Sequence, residues 1–297
     1  MPFFLTFSGV ALCWKSPFFR CNDPVASPPS DDIVSLPLLR SFTHESPCDR
    51  YRLRLFDKLS LPSTCQVVLR VDITYYRTDP WLPDLPTPRD QSYLSDIRTV
   101  TIAAHLHVYD ITFRIELVNP GHAGISFDRI SYADKVPSVF SHEGFSDTLE
   151  SIEIDSVETL YFDHYPVHAR HPLFQTTTKH VIQGLRKFRN LKTLILAESN
   201  ITFFLDEIPL CSTVDTVVLY SRHSTDRHTN GVDVLTRVRK FAVSRREAGT
   251  PLKALMILFP FAELCPSEVE QLVSCVGRVE AVSGDDALHW DVDEYLL

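Results

Sequence analysis

The order of residue types predicts an α/β fold. Its N-terminal half is the more strand-rich, and its C-terminal half is built from parallel strands alternating with helices. Three observations predict it. Apolar residues recur at every second position around Val67, Leu69, Val71 and Ile73, and again at Ile111, Phe113, Ile115 and Leu117; that period lays one side of a strand on a core and leaves the other wet. Three later stretches carry apolar residues at helical spacing instead. Those stretches are interleaved with β-like runs, and strand, helix, strand, helix implies parallel strands with helices packed on one or both faces.

Taken in order, residues 1–32 form an irregular N-terminal segment, an aromatic-rich opening followed by Pro24, Pro28 and Pro29 among Ser and Asp, a loop composition. Residues 33–297 form one continuous domain. The prolines at 80, 83, 86 and 88 mark an internal loop within it. Asn119-Pro120-Gly121 supplies a turn between the strand ending near Leu117 and a β-like run over residues 125–130, which predicts an antiparallel hairpin. Val181, Ile182, Leu185 and Phe188 share one helical face behind the capping hydroxyls of Thr176, Thr177 and Thr178. Val234, Leu235, Val238, Phe241 and Ala242 do so after Asn230. Val269, Leu272, Val273 and Val276 make a third helix, with Pro266 near its start and Gly277 just past its end.

The β-like runs share a finer pattern. Val157, Leu160 and Phe162 stand at relative positions one, four and six, as do Leu191, Leu194 and Leu196, then Val214, Val217 and Leu219, then Leu252, Leu255 and Ile257. Looser copies fall at Leu149, Ile152, Ile154 and at Ile97, Val100, Ile102. LxxLxL is the core of a leucine-rich repeat, in which the marked residues point into a stack of neighbouring units. The starts of the four good copies are unevenly spaced, so the expectation is an irregular leucine-rich-repeat-like solenoid; a plain α/β sheet covered on both faces is the alternative.

Strand alternation also fixes which residues point the other way. Position five of the four copies holds Tyr161, Ile195, Val218 and Met256, and position seven of the third holds Tyr220. An apolar row of that length on an open face is costly unless something covers it. These five residues are therefore the candidate partner-binding surface, with the chain's own segments as the other possible cover.

Several runs resemble the fungal F-box proteins: "LPLLRSFTHE" followed by "LFDKLSLPSTCQVVLRVDI", then "LKTLILAESN", and "AGTPLKALMIL" through "LVSCVGRVE". The similar portion is their leucine-rich-repeat-like C-terminal region, across about residues 33–290. In that family an N-terminal helical F-box docks on the Skp1-type adaptor of a cullin ubiquitin ligase, while the repeats choose the substrate. The resemblance thus implies a substrate-recognition arm with a protein partner. No F-box-like segment, a Leu-Pro start followed by Ile/Leu-rich helices, is read before Ile33, so Skp1-type adaptor binding is not expected of this chain.

Composition excludes other classes. Lys and Arg number 29 against 38 Asp and Glu, a formal net charge of −9, whereas a general nucleic-acid or anionic-membrane binder needs a positive field. No apolar run reaches the roughly 20 residues of a membrane span. Residues 1–14 are apolar like a signal-peptide core but lack a basic start and a small-x-small cleavage site. Seven scattered cysteines, with no CxxC pair, suit reduced core thiols in the cytoplasm or nucleus.

His105 with His107, His164, His168 and His171 beside Asp163, and His223 with His228 around Asp226 show no recognised metal-ligand spacing. Asp291-x-Asp293 sits in an acidic tail. No phosphate loop, GxGxxG turn or GxSxG elbow occurs. Arg237, Arg239, Lys240, Arg245 and Arg246 decorate one helix, as a solvated face, with local contact to an acidic partner as the alternative. The expectation is a non-enzyme without cofactor. A metal-dependent or hydrolytic site near the histidine loop 163–171, and a degenerate fragment without independent activity, are the alternatives.

Overall fold

The computed structural model describes residues 3–7, 10–14, 34–46, 59–72, 96–106, 110–121, 123–132, 154–164, 188–197, 213–221, 231–259 and 266–283. In chain order the strands are β1 (Phe3–Phe7), β2 (Val10–Trp14), β3 (Val34–Ser35), β4 (Ser41–Ser46), β5 (Leu59–Ser60), β6 (Gln66–Asp72), β7 (Thr99–Leu106), β8 (Asp110–Val118) and β9 (Gly124–Tyr132). They continue with β10 (Thr159–His164), β11 (Thr193–Ala197), β12 (Thr216–Tyr220), β13 (Ala254–Phe259) and β14 (Arg278–Ser283). Helix α1 (Gly231–Glu247) precedes β13 and helix α2 (Pro266–Val273) precedes β14. The fold is α/β, with mostly parallel strands and few helices among the described residues. No helix among them is long and apolar enough to cross a membrane.

The chain groups into two compact units, Met1–Arg98 with Leu106–Glu153, and Thr99–His105 with Ile154–Leu297. In the first, β8 and β9 form the antiparallel hairpin expected from the Asn119 turn, and β6 and β4 add to β9 in parallel. The turn is closed by Asn119, whose Oδ1 accepts from the amides of Gly121 at 2.9 Å and Ala123 at 3.1 Å. Phe42, Val67, Leu69, Ile115, Leu117 and Ile125 are buried on one side. The other side is not simply wet. Asp128 is buried there, gripped by the Arg114 fork at 2.6 and 3.1 Å with Arg70 at 3.6 Å, one carboxylate between two cations on flanking strands.

Within residues 1–32 the structure contains a hairpin, β1 paired antiparallel with β2, where the sequence reading expects an irregular segment. Two five-residue runs of aromatic and branched residues are joined in sequence by Ser8-Gly9, a dipeptide common in turns. The prolines that suggested a linker all come later.

In the second unit β7, β10, β11, β12, β13 and β14 lie side by side, all parallel, each new strand added beside the last. The register aligns the sequence pattern: Leu160, Leu194, Val217 and Leu255 are mutual partners, as are Phe162, Leu196, Leu219 and Ile257. The looser copy Ile97, Val100, Ile102 joins the same rows through β7. Of the copy at 149–154, only Ile154 lies within the described residues, in a short 3-10 turn. A further copy, Val276, Val279 and Ala281, completes the rows on β14.

β11, β12 and β13 start in the same way. The amides of Lys192 and Thr193 both donate to the Glu158 carbonyl at 2.8 and 2.9 Å. Those of Asp215 and Thr216 donate to Lys192 O at 2.9 and 3.0 Å, and those of Lys253 and Ala254 to Asp215 O at 2.7 and 3.2 Å. The side chains of these same position-two residues alternate in charge, with Lys192 3.1 Å from Glu158 and Lys253 paired to Asp215. Two of the three expected helices are described as α1 and α2, and α2 packs against β14 and α1. The expected helix over Val181, Ile182 and Leu185 lies outside the described residues.

Candidate functional site

The five candidate residues are brought together by the parallel register. Tyr161, Ile195, Val218 and Met256 are consecutive partners across β10, β11, β12 and β13, with Thr101 of β7 and Glu280 of β14 at the two ends of the row. Position seven adds Ala197, Tyr220 and Leu258 alongside. The two rows form one apolar cluster with Val282 packed against it. This side of the sheet is covered, however: Tyr161, Ile195, Val218, Tyr220 and Met256 are between 0 and 7% exposed. Parallel strands carry apolar residues on both faces when both are buried. An interface anchor has to be reachable, so in the chain as it stands the row is core and not an open patch.

The cluster holds a polar chain. Tyr220 Oη and Tyr161 Oη are 2.8 Å apart, and the Tyr161 hydroxyl donates to Asp163 Oδ2 at 3.4 Å. The two rings stack with centroids 5.5 Å apart and 13° from parallel. They come from strands separated by β11, and the residue that β11 offers between them at position seven is Ala197. A small side chain there leaves room for the rings to meet above it. Asp163 is 5% exposed, and burying a carboxylate requires hydrogen bonds of this kind. Sequence reasoning grouped Asp163 with the histidine loop and missed its link to Tyr161, although residues two apart on a strand share a face.

Two of the candidate histidines fall on paired strands, with His164 opposite Ala104, the residue before His105. His164 ends β10 and His105 lies on β7, while His107, His168, His171, His223, His228, Asp291 and Asp293 fall outside the described residues. Among the described residues no three His, Cys, Asp or Glu side chains are placed to hold a metal ion.

The basic residues of α1 do not make one solvated face. Arg245 is 2% exposed, its guanidinium donating to Thr250 O at 2.9 Å and Val214 O at 2.5 Å. Arg239 donates to Gln271 Oε1 and Arg246 to Ser274 O, so both reach across to α2 and the turn behind it.

Cys65 is fully buried, and desolvation pushes its thiol from 9.0 up to about 11. A thiol in that state is a poor nucleophile.

No family model, no curated protein and no solved structure matches this chain.

Proposed function

We propose that the chain is a non-enzymatic protein-interaction module, comparable to the substrate-recognition region of F-box ubiquitin-ligase adaptors. The observation that supports this best is the repeated strand start, one carbonyl taking both amides of the next unit in three successive steps. A stack of such units is a scaffold that grows by addition, and irregular leucine-rich-repeat-like solenoids use that construction to hold up extended recognition surfaces. On this reading the partner is a protein, no nucleic acid or membrane is engaged, and the module works in the cytoplasm or nucleus. The row of Tyr161, Ile195, Val218 and Met256 with Tyr220 underlies the recognition side and sets its shape from beneath.

The test is proximity labelling with the full chain, followed by calorimetry of each enriched protein against purified chain. A saturable protein partner is expected. Met256→Ala, which shortens the least buried residue of the row without putting a charge in the core, should weaken it while circular dichroism stays unchanged. The proposal fails if no protein binds saturably.

A second reading, a metal-dependent or hydrolytic site near residues 163–171, is favoured by Asp163. This buried carboxylate lies toward the C-terminal end of a parallel strand, the edge where α/β proteins gather ligands. Elemental analysis of the purified full chain separates the two, because stoichiometric zinc or manganese would select the enzyme.

A further inference from the structure

β14 is the last strand of the second unit's sheet, and among the described residues none pairs with its outer edge. Among the described copies of the repeat, its seam alone is incompletely sealed. The inner residues at positions four and six are fully buried, as at Leu194, Leu196, Leu219 and Ile257, whereas Val279 is half-buried and Ala281 exposed. Stacks of repeats need a polar cap on their terminal unit to stay apart, and an uncapped edge offers a row of backbone donors and acceptors to another strand.

We propose that β14 pairs antiparallel with β14 of a second copy, about a twofold axis through Val279. The argument for a second copy, as against an unrelated strand, is that the sequence around Val279 complements itself. In that register Arg278 faces Glu280 of the other molecule, and Glu280 faces its Arg278. Val279 meets its own image, and Ala281 faces Gly277. Moving the centre by one residue destroys the match: centring on Glu280 sets carboxylate against carboxylate and Arg278 against Val282, and centring on Arg278 sets two guanidiniums together. Opposite charges directly across an antiparallel pair stabilise it and like charges oppose it, so the two charged residues favour this register over either neighbouring one.

Their side chains are accessible for this, Arg278 at 72% and Glu280 at 31% exposure, and in the single chain they form an ion pair with each other. Pairing exchanges the two internal contacts, one in each molecule, for two equivalent contacts between molecules, the isologous arrangement a twofold interface demands.

Sedimentation of the full chain over a dilution series tests this, with thermal melts confirming that each variant is folded. The natural chain should show a monomer–dimer equilibrium. Glu280→Arg alone, and Arg278→Glu alone, place like charges opposite each other twice per dimer and should weaken association about tenfold. The double variant, Arg278→Glu with Glu280→Arg, restores complementarity and should return association to the natural level. A natural chain that sediments as a monomer throughout, single variants that associate unchanged, or a folded double variant that stays monomeric would each overturn the proposal.

Discussion

Gly124 begins β9 with φ at +151°, and a Cβ there would land on the carbonyl oxygen of Leu117 across the hairpin. Gly124→Ala should therefore lower stability by about 2–4 kcal/mol, read as a shift of the denaturant midpoint, because backbone and not a flexible side chain is in the way. The tyrosine pair makes a subtler prediction. Tyr161→Phe removes the hydroxyl that links Asp163 to Tyr220 and should cost about 1–3 kcal/mol, whereas Tyr220→Phe removes its bond to Tyr161 and should cost about 1 kcal/mol. The double variant should lose less than the two losses added together, since both act on one chain of hydrogen bonds.

Cys65 gives a pH signature. Its folded-state thiol titrates near 11 against 9.0 when unfolded, so the folded state holds the proton longer. The stability this confers is complete below pH 9 and is lost as pH rises toward about 11. Alkylation with a thiol reagent at pH 8 should follow global unfolding; rapid labelling of the folded chain at Cys65 would contradict its burial.

Among the elements, α1 shows how a sequence can name a helix and misjudge a face. Its apolar stripe of Val234, Leu235, Val238, Phe241 and Ala242 is buried as the spacing predicts. Arg245 looked like one more solvated cation, yet it lies inside, because the carbonyls of Thr250 and Val214 converge there. Those carbonyls come from segments 5 and 31 residues away, and no local pattern reports them. Arg245→Lys should cost about 1–3 kcal/mol, because an ammonium cannot fork to two carbonyls as a guanidinium does; Arg246→Lys, exposed, should leave the melting temperature nearly unchanged. The strands were more legible. Positions one, four and six were readable because they are fixed by the chain's own periodicity. The copy at Val276, Val279 and Ala281 escaped because α2 ends only three residues before Val276, and the helical and strand spacings overlap on that residue.

For the molecule as a whole, the sequential order of β7 and β10 to β14 makes each strand's environment chiefly that of its two neighbours. Leu219→Ala removes a fully buried side chain from β12 and should cost about 2–5 kcal/mol. Hydrogen exchange followed by mass spectrometry should show protection falling most in β11 and β13 and least in β7, the pattern of nearest-neighbour coupling. A uniform fall would mean that the sheet opens as one unit and would count against the stacked-repeat reading. What composition and periodicity could not reveal is which sides of the sheet are sealed, because that depends on segments remote in sequence.

The matching strand starts carry a consequence for how such a chain tolerates change. From Val157 to Leu191, Val214 and Leu252 the intervals are 34, 23 and 38 residues, yet the same hydrogen bonds recur. The pitch of the lattice is set by carbonyl meeting amide and is indifferent to how much polypeptide travels between. Interval length is therefore a dimension in which residues can be added or lost without the framework noticing.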